Sequence, residues 1–394
     1  MTAQPHAVVA RLGEDFLAGA FGRTFRVIPG DAQCIAGLLD WDDLNEIIAR
    51  HRLEPPRLRL SADGAVVPLD AYTVREVARR RTVWHRIHPA SLHEQLAQGT
   101  TMVIDAFDEL HPGVHGLAHA LEARLRSKVQ VNLYASWKPR EGFGVHWDDH
   151  DVIVVQVDGR KRWKIYGPTR VAPMYRDVTE TAPPPDEPVA EFVLTPGDIL
   201  YLPRGWWHAV SASEGQRSLH LTCGLSSTTG VDLVSWVLDT LRAEQIVRAD
   251  LPHFGSADQK QHVVDQLRDL LVKEMADGSL IDRYFQHRDA DEPVRFRPSL
   301  PFVDAVPADP GVRARMLTAR HTLSTTDDGN AVLTAGGESW TFAAPALPLL
   351  ERLADRSEHR LADLVSDTEL TLGQAAAVIS ELVNGQVASV RGTQ

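Results

Sequence analysis

The chain has 394 residues, of which 43% are hydrophobic and 24% are charged, and its formal net charge is −12 at pH 7. This length predicts two or three folding units, and the composition excludes a largely disordered chain and a collagen-like repeat. The acidic balance argues against a protein that coats nucleic acid and favours a basic protein or peptide as the partner. Cys34 and Cys223 are the two cysteines, so neither a disulfide framework nor a thiolate zinc site is expected.

The beginning of the chain predicts a cytoplasmic protein without membrane association. Its first residues, MTAQPHAVVARLGEDF, are interrupted by Arg11, Glu14 and Asp15, unlike a secretory leader. The sequence also has no apolar run of about 18 residues, the length that a membrane-spanning helix needs.

Residues 1 to 125 have the pattern of mixed helices and strands. The segment LDWDDLNEIIARH predicts a helix with Leu44, Ile47 and Ile48 on one face, after an acidic N-terminal turn. The segment PRLRLSADGAVVPL alternates around Asp63-Gly64, which predicts a hairpin.

A second helix is predicted in HPGVHGLAHALEARLRS, where leucines recur every four residues. The same segment has histidines at the same spacing, His111, His115 and His119. Three histidines on one helix face could hold a metal ion, but they lack the HExxH-type base of helical metalloenzyme sites. We therefore expect them to have no catalytic role.

From about residue 129 to 225 the pattern changes to short strands separated by Gly and Pro. The predicted strands are VQVNLYAS, FGVHWDDHDVIVVQV, RKRWKIYG, EFVLTPGDILYLP, WHAVSAS and RSLHLTCGL. Their even spacing is typical of a barrel or sandwich. The proline-rich run 168–188 interrupts them, and we expect it to be a long loop that covers a site.

The remainder of the chain reads as helical and then as a small mixed domain. VDLVSWVLDTLRAE predicts a helix with Val234, Leu238 and Leu241 in one apolar stripe, and QHVVDQLRDLLVKEM predicts another. After a proline-rich connector, three short helices and a strand-like QVASVR suggest a winged helix. Between residues 311 and 394 there are seven arginines and ten acidic residues, so we expect this tail to contact protein and not DNA.

Three residues of the β region form a candidate metal site. His146 and Asp148 in VHWDDHDV are two positions apart, so on a strand they point to the same face. His208 in PRGWWHAV lies on a later predicted strand. Two histidines and one carboxylate are the ligand set of non-haem Fe(II) oxygenases, which keep the other positions open. His150 is a competing ligand, but its spacing from His146 places it at the rim.

A lysine next to this motif is predicted to face inward. In RKRWKIY, the alternation puts Lys161 on the same side as Trp163 and Ile165. A lysine on an apolar strand face is costly unless an anion meets it, and a dicarboxylate co-substrate would be such an anion. The alternative is that Lys161 extends its ammonium group to the solvent at a strand edge.

These motifs resemble the JmjC-type cupins, the iron and 2-oxoglutarate oxygenases built on a double-stranded β-helix, and among them the ribosomal oxygenases. The resemblance rests on NLYASWKPREGFGVHWDDHDVIVVQVDGRKRWKIYGP and on LTPGDILYLPRGWWHAV followed by SLHLT. It implies an Fe(II) site formed by the catalytic residues His146, Asp148 and His208. It also implies that Lys161, Asn132 and Tyr134 lie at the 2-oxoglutarate site.

The resemblance further implies an organisation and a substrate class. The expected fold is α+β, with a catalytic cupin/JmjC jelly roll at residues 1–228, a helical dimerisation segment at 229–290 and a winged-helix-like domain at 291–394. The implied protein is a homodimer that hydroxylates an Arg or His side chain of a ribosomal protein. Two residues depart from the pattern of the bacterial arginyl hydroxylases: Lys161, where those enzymes carry Arg, and the bulky Trp147 inside the H-x-D motif.

Two other functions stay open at the level of sequence. The same iron chemistry could modify the precursor of a peptide natural product, with the tail as a docking site for its leader. Alternatively, the chain could be a cupin that has lost catalysis and acts as a binding or regulatory module. The intact H-x-D and distal His argue against this second alternative.

Overall fold

The computed structural model describes residues 6–77, 83–139, 142–174, 183–212, 215–292, 294–295, 297–318 and 320–392. The chain divides into two compact units, Met1–Ser227 and Thr228–Gln394. None of the helices in these ranges is long and apolar enough to cross a membrane.

The described residues of the first unit form five α-helices and thirteen strands. The helices are α1 (His6–Ala10), α2 (Phe16–Gly19), α3 (Trp41–Arg50), α4 (Pro89–Ala97) and α5 (Pro112–Leu125). The strands are β1 (Arg26–Ile28), β2 (Leu58–Ala62), β3 (Ala65–Val66), β4 (Thr73–Val77), β5 (Val83–Ile87), β6 (Thr101–Ile104), β7 (Val129–Ser136), β8 (Asp151–Gly159), β9 (Lys161–Pro168), β10 (Ala190–Leu194), β11 (Ile199–Leu202), β12 (Trp206–Ala212) and β13 (Ser218–Leu225).

Two sheets form the barrel of this unit. The large sheet has eight strands in the order β1-β11-β8-β13-β7-β6-β2-β3, and the small sheet has the order β10-β9-β12. Apolar side chains of both sheets meet in one core, for example Val154 of β8 and Ile165 of β9. This architecture agrees with the predicted jelly roll, in which two sheets bury their inner faces against each other.

Strand β8 of the large sheet is buried on both faces, which explains its continuous apolar run. Val152 and Val154 pack toward the small sheet, whereas Ile153 and Val155 pack on the opposite side with Leu117 and other residues of the N-terminal helices. Because side chains alternate along a strand, only a strand covered on both sides carries apolar residues at every position.

Most of the predicted elements before the barrel are present. Helix α3 begins after Asp40, whose carboxylate accepts a hydrogen bond from the backbone N–H of Asp43 in a capping box. The hairpin β2–β3 turns at Asp63 and Gly64, which both have positive φ, as a two-residue hairpin turn requires. Helix α5 also forms, but His111 is its N-cap and accepts a hydrogen bond from the Val114 N–H.

One predicted strand is shorter than the sequence suggests. The segment FGVHWDDHDVIVVQV was expected to be continuous, but β8 begins at Asp151, and residues 142–150 are irregular apart from one bridge at His146. Gly144 has a φ of 70°, which interrupts an extended chain, and consecutive aspartates have low strand propensity. The loop predicted at 168–188 lies partly outside the described residues, since 175–182 are not among them.

The second unit contains a helical part and a small mixed part. Its helices are α6 (Gly230–Thr240), α7 (Gln245–Arg248), α8 (Ala257–Met275), α9 (Leu280–Asp291), α10 (Leu347–Leu353), α11 (Leu361–Val365) and α12 (Leu372–Asn384). Its strands are β14 (Arg313–Met316), β15 (His321–Thr325), β16 (Ala331–Ala335), β17 (Glu338–Phe342), β18 (His359–Arg360) and β19 (Ala388–Arg391).

Helix α6 buries a different face from the predicted one. Val234 and Leu238 are 46% and 48% exposed, whereas Val237 is almost fully buried and packs in a small cluster with Leu280 of α9. The segment is apolar on more than one side, so periodicity alone could not show which stripe has a partner. Leu241 lies in the buried cluster, as predicted.

The last part has the three helices and the strand that the sequence predicts. Helices α10, α11 and α12 pack on the β18-β14-β19 sheet around a core that includes Leu350, Leu361 and Ile379. This combination of short helices and a small sheet agrees with the predicted winged-helix shape. A second sheet, β15-β16-β17, was not predicted.

Candidate metal centre

The structure brings the three predicted metal ligands together. One ligand atom from each of His146, Asp148 and His208 lies within 4.8 Å of the others. The centres of the two imidazole rings are 4.3 Å apart, and His208 Nε2 is 3.7 Å from Asp148 Oδ2. Among the described residues, this is the only group of three or more histidine, cysteine or carboxylate side chains close enough together to hold a metal ion.

Backbone carbonyls orient both imidazoles. His146 Nδ1 lies 3.1 Å from the Gly144 carbonyl oxygen, and His208 Nδ1 lies 2.9 Å from the Trp206 carbonyl oxygen. In each ring, Nδ1 therefore carries the proton and donates it, which leaves the Nε2 lone pair for a ligand. This is the tautomer that a metal ligand needs.

A local backbone clamp holds the ligands although His146 and Asp148 are outside the regular strand. The His146 N–H donates to the His208 carbonyl over 3.0 Å, and the His208 N–H donates back over 2.8 Å. The Gly205 N–H donates to the Asp148 carbonyl over 2.8 Å. The register of β12 against β9 shifts between Trp207 and His208, a bulge of the kind that redirects a side chain next to a site.

Burial keeps His208 in the form that binds metal. The side chain is 4% exposed, and burial together with the nearby His146 holds the pKa of His208 well below its ordinary value. A neutral imidazole needs no deprotonation before it coordinates an ion.

Lys161 has the inward orientation that strand alternation predicts. It is 3% exposed, on the same buried side of β9 as Trp163 and Ile165. Its Nζ donates a 2.8 Å hydrogen bond to Ser136 Oγ. Burial lowers the pKa of Lys161 to about 7, and no carboxylate contributes to this shift. The alternative orientation, toward solvent at a strand edge, is wrong.

These groups share one cavity of about 210 Å³. The residues that line the cavity come from both sheets and from the irregular segment before β8. They are Arg59, Thr101, Tyr134, Gly142, Phe143, Gly144, His146, Asp148, Val152, Lys161, Trp163, His208, Val210, His220 and Thr222.

Unpaired polar atoms in this lining fit a polar ligand. Trp163 Nε1, His220 Nδ1 and Thr101 Oγ1 are buried and have no hydrogen-bond partner in the described structure. Buried polar groups are rarely left without partners, since each costs free energy. The three ligand atoms fit an Fe(II) ion, and Lys161 with these polar atoms fits a carboxylate-bearing molecule beside it.

Tyr134 and Asn132 occupy different positions relative to the cavity. Tyr134 lines it and stacks on His220 with ring centres 5.0 Å apart. Burial, with the Asp148 charge, raises the pKa of Tyr134, so the phenol stays protonated. Asn132 is not among the lining residues. Its Oδ1 accepts a 3.0 Å hydrogen bond from the Ala106 N–H and a 3.1 Å hydrogen bond from Gln130 Nε2.

Several cavity residues are outside the predicted set of metal ligands and co-substrate residues. His220 and Thr222 are on the polar side of β13, an alternation that is visible in SLHLTCG. Arg59 is on the opposite side of β2 from the buried Leu58 and Leu60, so the alternation in PRLRL could have indicated it. Thr101 gave no signal, because β6 is buried at every position.

Other residues near the motif differ in their position relative to the site. His150 is not in the ligand cluster, and its Nδ1 lies 3.0 Å from Asp149 Oδ1. Trp163 packs against the His208 ring at 5.7 Å, so it is an aromatic wall of the site. Trp206 instead makes an edge contact with Phe25 in the core between the sheets.

Comparisons with known proteins agree with this geometry. The family model of the JmjC domain matches residues 112–233. The chain is 39% identical over 94 residues to the bifunctional lysine-specific demethylase and histidyl-hydroxylase NO66 of Drosophila persimilis, which covers 24% of this chain and 14% of that protein. It is 36% identical over 140 residues to ribosomal oxygenase 2 of Bos taurus, covering 34% of this chain and 30% of that protein. The matched regions thus span less than a third of these two relatives.

Solved structures extend the similarity of fold to almost the whole chain. A structure of Escherichia coli YcfD has a TM-score of 0.60 and 18% identity, covering 96% of this chain and 97% of that one. Another, described as the ribosomal oxygenase YcfD in complex with cobalt and 2-oxoglutarate, has a TM-score of 0.57 and covers 96% of this chain and 98% of that one at 18% identity. The predicted fold class is thereby confirmed. Residues 112–233 thus match the JmjC domain, and the chain is similar in sequence to proteins that include a ribosomal oxygenase.

Proposed function

We propose that this protein is an Fe(II)- and 2-oxoglutarate-dependent oxygenase that hydroxylates an Arg or His side chain of a ribosomal protein in the cytoplasm. In the overall reaction, substrate C–H, 2-oxoglutarate and O₂ give substrate C–OH, succinate and CO₂. Bound Fe(II) would supply the activation of O₂. The proposal depends on one observation: the His-Asp-His cluster and the buried, carboxylate-free Lys161 line the same cavity.

The residues of this chain have separable roles in the proposed reaction. His146, Asp148 and His208 would hold the iron, and backbone hydrogen bonds fix the positions of these three residues. Lys161 binds the far carboxylate of 2-oxoglutarate and, through that ion pair, orients the other end toward the metal. Ser136 fixes the ammonium group by accepting its hydrogen bond.

The cavity wall excludes water and positions a substrate. Trp163 covers the His208 side, and the stacked pair of Tyr134 and His220 forms another wall. The protonated phenol of Tyr134 can donate to an acceptor on the incoming side chain. Two further polar groups of the lining, Arg59 and Thr222, offer additional contacts.

A protein substrate is supported by the net charge and by the names of relatives. The net charge of −12 attracts a basic partner, as ribosomal proteins generally are. One relative is named a histidyl-hydroxylase, and another is named a ribosomal oxygenase. A ribosomal protein is therefore the partner to test first.

Succinate formation tests the oxygenase activity of the full chain with Fe(II) and 2-oxoglutarate. We expect His146→Ala and Lys161→Met each to lower turnover at least about 100-fold. The first removes a metal ligand, and the second removes the buried ammonium group that pairs with the co-substrate carboxylate. Lys164→Met, on the other side of the same strand, and His150→Ala are the matched controls and should keep turnover. The absence of 2-oxoglutarate turnover at every iron concentration, with and without peptide, would refute the proposal.

Mass spectrometry of ribosomal proteins tests the substrate. Proteins from cells with and without the gene are compared for a mass increase of one oxygen atom on a single residue. We expect the modified residue to be Arg or His in one protein. If succinate forms but no ribosomal protein changes mass, the oxygenase chemistry stands and the ribosomal substrate is wrong.

We also propose that residues 229–290 form a homodimer interface. Within the second unit, α8 has no fully buried residue although it contains six Val and Leu side chains. Val234, Leu238, Val272 and Ile281 are each more than 45% exposed. Exposed apolar surface on neighbouring helices is typical of a protein–protein interface. A second copy of the chain presents the same apolar surface and could cover it.

A further inference from the structure

The β18-β14-β19 sheet of the second unit has one apolar and one charged side. Ala314 and Met316 of β14 are fully buried and pack in the domain core with Val390 of β19. Because side chains alternate along a strand, Arg313 and Arg315 point to the opposite side. That side of the sheet is only partly covered.

The strand register gathers arginines on this side. Arg313 is directly opposite Arg391 of β19 and also directly opposite Arg360 of β18. Directly paired residues project from the same side of a sheet. We call this set, Arg313, Arg315, Arg360 and Arg391, the arginine face.

The local charge on the arginine face is strongly positive in an otherwise acidic protein. In the described structure, one carboxylate, Glu358, forms ion pairs with the face. It pairs with Arg391, and it lies 3.8 Å from Arg313. One carboxylate cannot neutralise four guanidinium groups. Cations directly opposite each other in a sheet are destabilising, so an anion that binds the face would reduce this repulsion.

Two more arginines strengthen the positive field at Arg315. Burial first, and then the nearby Arg297 and Arg356, lower the pKa of Arg315, while Glu358 acts in the opposite direction. The Arg315 Nε atom is buried and has no hydrogen-bond partner in the described structure. A guanidinium group with an unused donor among other cations is suited to a phosphate oxygen.

The type of residue and the shape of the surface favour nucleic acid. The positive residues from 311 to 394 are all arginines, and the planar guanidinium group binds phosphate through two donors and stacks on bases. Helix α12, the last helix of the winged-helix-like part, has no Lys or Arg, which excludes it as a helix that grips duplex phosphates. A sheet surface with separated cations is instead suited to a single strand.

We propose that the arginine face binds single-stranded nucleic acid through its phosphate backbone. The average acidity of the tail predicted no nucleic-acid contact, but pairing of β14, β18 and β19 concentrates distant arginines on one surface. The proposal is independent of the oxygenase activity.

Fluorescence anisotropy of the full chain with a labelled oligouridylate, at a series of salt concentrations, tests the proposal. The variant is Arg360→Gln combined with Arg391→Gln, since both side chains are exposed and neither lies in the core. The control is Arg50→Gln combined with Arg75→Gln, two exposed arginines of the first unit with the same change in charge. A thermal unfolding curve for each confirms that the fold is kept.

We expect wild type and control to bind with equal affinity and the arginine-face variant to bind at least about tenfold more weakly. The slope of log affinity against log salt concentration should fall in magnitude by about 1 to 1.5, since each phosphate contact on a single strand contributes about 0.7. Any of three results would overturn the proposal. The control variant could lose as much affinity as the arginine-face variant, or wild type could fail to bind. A poly-glutamate peptide could also compete as strongly as unlabelled oligonucleotide. Tighter binding of duplex DNA would overturn the choice of a single strand.

Discussion

Lys161 Nζ donates a 2.8 Å hydrogen bond to Ser136 Oγ in the interior of the barrel, where the lysine is 3% exposed and no carboxylate acts on it. A buried ammonium group without a counter-ion lowers the stability of the empty protein. A dicarboxylate that enters the cavity supplies that counter-ion. The same contact therefore links stability, pH and ligand binding.

The first prediction concerns stability without ligand. Burial lowers the pKa of Lys161 to about 7 in the folded protein, below its value in the unfolded chain. Between about pH 7 and pH 10 the unfolded state binds more protons, so the free energy of unfolding rises with pH, by up to roughly 1.4 kcal/mol per pH unit. Below about pH 7 both states are protonated and the full cost of burying the charge is present.

Urea unfolding of wild type and Lys161→Met across this range isolates the effect. Relative to Lys161→Met, the unfolding free energy of wild type should rise between about pH 7 and pH 10. Parallel curves for the two proteins would show that Lys161 is already charged and paired in the empty protein.

The second prediction concerns 2-oxoglutarate binding without O₂. Because Lys161 is partly neutral at pH 8, binding of the dicarboxylate requires uptake of a proton, and affinity should fall as pH rises above about 7. Titration calorimetry in two buffers of different ionisation enthalpy measures that proton. In Lys161→Met, the affinity should be weaker and the proton uptake should be lost.

The third prediction concerns the metal. Single changes of His146, Asp148 or His208 to Ala should weaken Co(II) affinity at least about 100-fold, since loss of outer hydrogen-bond partners alone costs up to that much at metal sites. His150→Ala should leave the affinity unchanged, because that ring is outside the cluster. The visible spectrum of bound Co(II) reports binding. A large loss in His150→Ala would show that the ligand assignment is wrong.

The fourth prediction concerns Trp163. Trp163→Phe keeps an aromatic ring against His208 but removes the buried Nε1–H that has no partner. Stability without ligand should change little or increase, since a buried unsatisfied donor is lost. Affinity for 2-oxoglutarate should fall by about fivefold, the value of one typical hydrogen bond. Unchanged affinity would show that Nε1 does not contact the ligand.

The fifth prediction concerns association. Val234→Glu combined with Leu238→Glu places charges on the exposed side of α6 and should convert a dimer into a monomer in light scattering. Val66→Glu, at an exposed apolar position of the first unit, serves as the control and should leave the mass unchanged. A monomeric wild type at every concentration would contradict the dimer proposal.

Local patterns were sufficient for those elements whose partners lie nearby in sequence. The Asp63-Gly64 turn and the Asp40 cap depend on a few adjacent residues, so their chemistry is readable without the fold. The inward direction of Lys161 also follows from alternation along one strand. Periodicity failed for α6, because Val234 and Val237 are equally apolar and only α9 decides which one is buried.

The residue types of the candidate site are readable in the sequence: the H-x-D pair, the distal His208 and a lysine at an inward position of a strand. The fold was needed to show that a bridge between His146 and His208, and not a continuous strand, holds the ligands together. It also added Arg59, Thr101, His220 and Thr222 to the cavity, and it gathered the arginines of the second unit on one sheet. The reason is physical: alternation and capping act over a few residues, whereas strand pairing joins residues far apart in the chain, which no local pattern records.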